Sequence, residues 1–175
     1  LALPIRLRLT AEWTDMVGHL LNYVDTPGDL GTITNLEQHN WRALDLMHQH
    51  DAQLEQWLDE PLPGEAFLGT DYQGETRLIV PTKRTVLDQD EDFHLKVMVL
   101  SKSAPETPVL HWKCLGESAF AQKTATHVNR GVYQIRLSRE ELAGRDFEYF
   151  VSLAGEDKVV FPAGAPALNQ AVVMF

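Results

Sequence analysis

The chain is poor in cysteine, in basic residues and in long apolar runs. Its one cysteine, Cys114, excludes an internal disulfide and is best explained as a small buried hydrophobe. Fifteen Lys and Arg residues stand against 25 Asp and Glu residues, which gives a net charge of −10. Phosphate binding needs a concentrated basic surface, so we expect neither nucleic acid nor an anionic membrane as a partner. Neutral polysaccharide or another protein would meet no such repulsion.

The sequence also lacks targeting and membrane signals. No apolar run approaches the roughly 18 residues of a membrane span, and no secretory signal pattern is present. The chain begins LALPIRLRL without Met, from which we expect a processed or excised piece of a longer protein. Its apolar content of 44% is sufficient to build a core.

The first sixty residues carry apolar side chains at helical spacing. Thr10 is available as the N-cap of a first helix, which ends at a Pro- and Gly-containing breaker, 27–31. Thr34 and Glu37 form a capping box for a second helix that runs to about Trp57. The apolar stripe of the first helix consists of Trp13, Met16, Val17, Leu20, Leu21 and Val24.

The period of the apolar residues changes after a Pro- and Gly-rich segment at 61–64. We therefore divide the chain into a helical segment, 1–63, and a β domain, 64–175. From about Arg77 the period is two, which predicts seven or eight short strands in an antiparallel sandwich rather than a parallel sheet. In four strands the predicted inward side chains are Phe93, Leu95, Val97 and Val99; Leu110, Trp112 and Cys114; Tyr133, Ile135 and Leu137; and Phe147, Tyr149, Val151 and Leu153.

Two aromatic positions refine the predicted architecture. Trp112 occupies a third-strand position and is expected to be buried, and a Tyr stands early in a later strand after a short turn. Both features are typical of immunoglobulin-like sandwiches, many of which lack the usual disulfide. The predicted fold is therefore mainly β: an immunoglobulin-like antiparallel β-sandwich preceded by an α-helical hairpin segment.

The segments HWKCLGESAF, RGVYQIRLSREELAGRDFEYFVSLAG and FPAGAPALNQAVVMF resemble the fibronectin-III-like or immunoglobulin-like modules appended to bacterial carbohydrate-active enzymes. This resemblance covers roughly residues 90–175. The helical stretch LLNYVDTPGDLGTITNLEQHNWRAL resembles the last helices of a glycoside hydrolase catalytic region.

The resemblance implies a non-catalytic C-terminal accessory module of a larger polysaccharide-degrading glycoside hydrolase. The implied partners are the upstream catalytic domain of the same protein and polysaccharide, and the implied location is secreted or periplasmic. No catalytic motif of such enzymes matches this sequence residue by residue, so no catalytic residue is assigned.

Phe150 is the most informative candidate for function. Alternation directs it outward together with Glu148, and an immunoglobulin-like arrangement would set its strand beside the one that carries His111 and Lys113. An outward aromatic ring among polar groups suits sugar binding, and it equally suits an interface that the helices cover. We favour the interface because the amphipathic helices belong to the same chain.

An acidic turn offers the one candidate cation site. Asp88, Asp90 and Asp92 stand at alternate positions, and clustered carboxylates bind hard cations such as calcium. An EF-hand is excluded, because Phe93 stands where that loop needs Gly and Val99 where it needs Glu. A looser calcium site and a solvated acidic turn both remain open, and no other cofactor is expected.

Two further hypotheses about function stay open. A free-standing carbohydrate-binding module would expose Phe150 and lose binding when that ring is removed. A small hydrolase with an unrecognised site would need clustered acids or histidines in a pocket. Whether the chain is itself an enzyme is therefore left undecided.

Overall fold

A computed structural model describes residues 2–21, 45–69, 71–104, 106–153 and 159–175. The chain divides into two compact units, Leu1–Asp71 and Tyr72–Phe175. This boundary lies a few residues beyond the predicted division at 63/64. The segment after the prolines belongs to the first unit because the Thr10 hydroxyl donates a 2.9 Å hydrogen bond to the Ala66 carbonyl.

The first unit is helical. It contains α1 (Ala2–Leu21), α2 (Asp51–Leu58) and a short 3-10 helix (Gly64–Ala66). The prediction that Thr10 caps the first helix is wrong, because α1 begins at Ala2. Thr10 lies inside the helix, where its Oγ1 is also 3.2 Å from the Arg6 carbonyl oxygen one turn earlier, so the two carbonyls share its single hydroxyl proton.

Part of the predicted second helix is present. Residues 45–48 are helical, residues 49 and 50 form a turn, and α2 ends at Leu58, close to the predicted end at Trp57. The predicted capping box of Thr34 and Glu37 and the breaker at 27–31 lie outside the described residues. In the described part of the chain, no helix combines the length and apolar character that crossing a bilayer requires.

The second unit is a β-sandwich-like fold of two sheets. Its elements are β1 (Arg77–Ile79), β2 (Val86–Leu87), β3 (Phe93–Leu100), β4 (Val109–Cys114), β5 (Ala121–Thr124), β6 (Thr126–Asn129), β7 (Val132–Leu137), α3 (Arg139–Leu142), β8 (Phe147–Ser152), β9 (Val160–Phe161) and β10 (Gln170–Met174). The four-stranded sheet has the order β1-β3-β7-β6. The six-stranded sheet has the order β2-β10-β8-β4-β5, with β9 beside β8.

One continuous segment joins the edges of the two sheets. β5 ends at Thr124 in the six-stranded sheet, and β6 begins at Thr126 in the four-stranded sheet. Between them Ala125 is buried, and its N–H donates a 2.9 Å hydrogen bond to the Pro108 carbonyl. The chain therefore passes from one sheet to the other at a single residue whose N–H is hydrogen-bonded, as happens at the corners of packed sheets.

The core lies between the sheets and follows the predicted alternation. In β3, β7 and β8 every predicted inward side chain is buried. The ring of Phe93 in β3 lies with its centroid 5.3 Å from that of Phe147 and 5.2 Å from that of Tyr149, both in β8. Aromatic contacts of this kind add to the free energy of burial, so the packing of β3 on β8 is a main source of cohesion.

Two details differ from the predictions. The pairing is antiparallel except between β2 and β10, which run parallel with Val86 opposite Val173. Trp112 is only partly buried, at the margin of the core. Separately, the hydroxyl of the buried Tyr149 has no hydrogen-bond partner among the described residues.

Candidate functional site

The four predicted outward residues of the six-stranded sheet come together. β4 and β8 are antiparallel neighbours, in register with His111 opposite Phe150 and Lys113 opposite Glu148. Because neighbouring side chains of a strand point to opposite faces, these four lie on the face away from the core. Together with Phe120 and Ser152 they form what we call the aromatic face.

Ring contacts dominate the aromatic face. The His111 and Phe150 rings are stacked, with centroids 4.3 Å apart and planes 1° from parallel. Phe120, just before β5, meets Phe150 edge to face with centroids 5.2 Å apart and an angle of 76°. All three side chains are half-buried, so Phe150 is a ring packed among its own neighbours rather than an open platform.

Phe120 was not singled out from the sequence. It stands two residues before Gln122, which lies opposite His111 in the β4–β5 register. The period of two would have placed it on the same face, had the pairing of β5 with β4 been known. The alternation of Phe120 with Gln122 was visible in the sequence, but only the pairing of β5 with β4 shows which face these residues share.

The two charges of the aromatic face are paired. The Lys113 Nζ lies 3.0 Å from the Glu148 Oε1, and their side chains are 20% and 24% exposed. The same Nζ lies 4.6 Å from the centroid of the Phe120 ring, within cation–π range. Lys113 is therefore held by a carboxylate and a ring together.

The surroundings of His111 favour its neutral form. Its Nε2 lies 2.8 Å from the Ser152 Oγ, and burial of the ring lowers the pKa of His111 below its ordinary value. The cause is that a half-buried imidazolium loses part of the water that would solvate its charge. At neutral pH the face presents rings, a hydroxyl, a neutral imidazole and one ion pair.

In the acidic turn, Asp92 accepts hydrogen bonds from the protein itself, which the calcium hypothesis did not anticipate. The Asp92 Oδ2 accepts a 2.8 Å hydrogen bond from the Arg136 Nε, and its Oδ1 accepts one of 3.0 Å from the Arg139 N–H. These bonds lower the pKa of Asp92, while Asp88 and Asp90 are exposed. Within the described ranges, no group of three or more His, Cys, Asp or Glu side chains is arranged to hold a metal ion. The structure thus adds no support for calcium at this turn.

Two sites in the first unit gather ionisable side chains that bear on the hydrolase hypothesis. Glu12, Asp15 and His19 line a groove along α1, and the described residues that line it all belong to this one helix. The second site is an ion-pair cluster in which Asp51 lies 3.2 Å from the buried Arg6 and 2.5 Å from the Nδ1 of His48. In neither site do described residues supply a nucleophile or a pair of acids across a cleft.

Comparison with known proteins does not assign the chain to a family. No known protein family matches it, and no curated protein matches it. Among solved structures it is similar to one described as an engineered protein, at 8% identity and a TM-score of 0.40. That similarity covers 65% of this chain and 23% of the other, which is too slight a likeness to carry an argument.

Proposed function

We propose that the chain is a non-catalytic accessory module of a larger polysaccharide-degrading glycoside hydrolase. Its β unit is an immunoglobulin-like sandwich that supports the catalytic domain and contacts glycan, in a secreted or periplasmic enzyme. The observation that carries this proposal is the aromatic face, where His111 and Phe150 stack beside an ion pair on an outward sheet surface.

The composition of the aromatic face supports binding rather than chemistry. A half-exposed group of rings offers apolar surface, and Ser152, Gln122 and the paired charges around it offer hydrogen bonds. Binding surfaces combine these two kinds of group. Catalysis would require a nucleophile with an oriented base, or two acids across a cleft. Ser152 and His111 lie at hydrogen-bond distance, 2.8 Å, but the one carboxylate of the face, Glu148, is paired with Lys113 rather than with the imidazole, so these residues form no Ser-His-acid triad.

The proposed role assigns the aromatic face to a module within a larger enzyme, where it contacts the catalytic domain or its glycan. The covering of this face by the helices of the same chain, which was favoured from the sequence, stays a prediction. Half-burial of Phe150 by its own neighbours favours a surface that is already shaped before a partner arrives. A reading frame that encodes a glycoside hydrolase domain directly upstream of Leu1 is the expected finding. An upstream sequence unrelated to polysaccharide degradation would overturn the accessory role.

The alternative is a free-standing carbohydrate-binding module. It is favoured by the paired charges, because a face without a free cation or anion suits hydroxyl-rich ligands. The net charge of −10 keeps nucleic acid and anionic membranes outside both proposals.

Affinity electrophoresis against a panel of soluble plant and algal polysaccharides, with and without calcium, tests glycan contact. We expect one glycan to retard the chain and Phe150→Ala to abolish that retardation. Gln134→Ala, on the outer face of the other sheet, is the matched control and should migrate like the parent chain. Retardation by no glycan would leave support of the catalytic domain as the whole function.

Release of reducing sugar from the same panel tests the hydrolase hypothesis. We expect none above the rate without protein. Release that is lost in Glu12→Gln or Asp15→Asn would show that the groove on α1 is catalytic and would overturn the non-catalytic proposal.

A further inference from the structure

We propose that the aromatic face binds an uncharged polysaccharide segment and discriminates against uronate- or sulfate-bearing chains. This inference rests on the proposed contact with glycan and adds the chemical class of the ligand. It concerns the face itself, so it is separate from the question of which larger protein the module serves.

The first argument is that the cation on this face is already compensated. Lys113 lies 3.0 Å from Glu148 and above the ring of Phe120, with only a fifth of its side chain exposed. A bound carboxylate or sulfate would need a cation of its own, because a desolvated anion without a partner is costly. It would also come close to the Glu148 carboxylate, and like charges in partly dry surroundings repel strongly.

The second argument is that the remaining polar groups of the face are neutral. His111 shares a hydrogen bond with Ser152 at 2.8 Å, and its pKa is lowered by burial. Gln122 lies opposite His111 on β5. Imidazole, hydroxyl and amide groups match the hydroxyls of a neutral sugar, which act both as donors and as acceptors.

The third argument is that the second unit offers no general excess of positive charge, and several of its other cations are paired. Arg145 binds Glu117, Lys123 binds Glu141 and Arg84 binds Glu91. Across residues 72–175, 12 Lys and Arg residues stand against 13 Asp and Glu residues, a net charge of −1, so this unit carries no excess of cations. A polyanion therefore gains no general electrostatic attraction from this unit that would offset repulsion at the face.

The test begins with the panel described above and then changes only the charge of the ligand. The retarding glycan is converted to a charged form by oxidising its primary hydroxyls to carboxylates, or by carboxymethylation where it has none. We expect the charged form to bind at least roughly tenfold more weakly, because one uncompensated like-charge contact is enough to weaken binding by such a factor.

Two variants assign the discrimination to the aromatic face. Glu148→Gln leaves Lys113 unpaired and should reduce the difference in affinity, or affinity gap, between the charged and uncharged forms of the glycan. Lys96→Gln removes a cation from the outer face of the other sheet and should leave the gap unchanged. A gap that Glu148→Gln does not alter would overturn the role of the ion pair.

The outcomes separate this inference from the proposal beneath it. Equal or stronger binding of the charged form, or a panel in which only anionic glycans retard the chain, would overturn the inference and leave glycan contact standing. A panel in which no glycan retards the chain would overturn both this inference and the proposed contact with glycan, and would leave only the supporting role.

Discussion

Each sheet of the second unit carries a His-x-Lys segment on an inner strand, and the two segments have different surroundings. On the outer face of the four-stranded sheet, His94 lies opposite Arg136 and Lys96 lies opposite the neutral amide of Gln134. All four side chains are exposed. We call them the polar face.

On the six-stranded sheet, His111 lies opposite Phe150 and Lys113 opposite Glu148. Here all four side chains are half-buried, through the ring stack and the ion pair. The same two residue types, at the same spacing, form a solvated surface on one sheet and a packed cluster on the other. Cross-strand partners thus decide what a strand segment becomes, since directly opposite side chains are in contact.

The largest loss of stability is expected from a substitution that disturbs the pairing of β3 with β7, on which the polar face depends. A Cβ on Gly131, in the turn before β7, would lie 2.1 Å from the Val99 carbonyl oxygen. We expect Gly131→Ala to lower the free energy of unfolding by about 3 kcal/mol, because backbone must shift to admit the methyl group. Denaturant unfolding followed by circular dichroism measures the loss.

Gly18→Ala in α1 is the control for this substitution, because a Cβ there meets nothing within 4 Å. It should be neutral or stabilising by up to about 1 kcal/mol, through helix propensity. Equal losses in both variants would contradict the steric argument.

The next largest loss of stability is expected at the position opposite His111, and it can be compared with the position opposite His94. Phe150→Ala removes the stack on His111 and the contact with Phe120, and we expect it to cost about 2 kcal/mol, roughly half the value for a fully buried ring. Arg136→Ala, opposite His94, should cost clearly less because the Arg136 side chain is 65% exposed in its ion pair with Asp92. Equal losses in unfolding experiments would mean that the two faces are equivalent after all.

A reciprocal exchange of partners sharpens the comparison of the two lysines. Glu148→Gln gives Lys113 the neutral partner that Lys96 has, and it should cost about 1 kcal/mol because both side chains are largely buried. Gln134→Glu gives Lys96 a carboxylate and should gain at most about 0.5 kcal/mol, since that pair would be solvated. High salt should weaken the second effect more than the first, and the opposite salt dependence would count against this interpretation.

The smallest effect we expect is the contribution of His111 to the pH dependence of stability. Its pKa in the folded chain is lowered by burial from an ordinary value of 6.5. As pH falls below that value the unfolded chain takes up the proton first, so stability present above it is lost as pH falls through the folded pKa. Denaturant unfolding on either side of the ordinary value should show this loss, and His111→Gln should reduce it. The same reduction in His94→Gln would contradict its assignment to the buried ring.

Much of the β unit was predictable from period-two alternation. The inward residues of β3, β7 and β8 were predicted correctly because each strand buries one face, and such strands show a clean alternation. The parallel pairing of β2 with β10 and the crossing at Ala125 were not predicted. Both depend on contacts between distant segments, which no local pattern contains.

The candidate site was predictable in part. The outward direction of Glu148 and Phe150 follows from alternation alone. The stack on His111 and the ion pair with Lys113 depend on strand register, and the contribution of Phe120 depends on the pairing of β5 with β4. Thr10 shows the same limit in the first unit. It suits a cap by residue type, yet the helix begins at Ala2 and its hydroxyl instead bonds to the Ala66 carbonyl.

The sequence by itself determined which side chains of each long strand are inward, because hydrophobic burial acts on a period that the chain carries locally. It also determined the acidic charge balance, which disfavours polyanionic partners. Only the tertiary structure decided that one His-x-Lys segment lies among rings and a carboxylate while the other remains in water. The reason is that cross-strand neighbours are distant in sequence, and only sheet order and register bring them within contact distance.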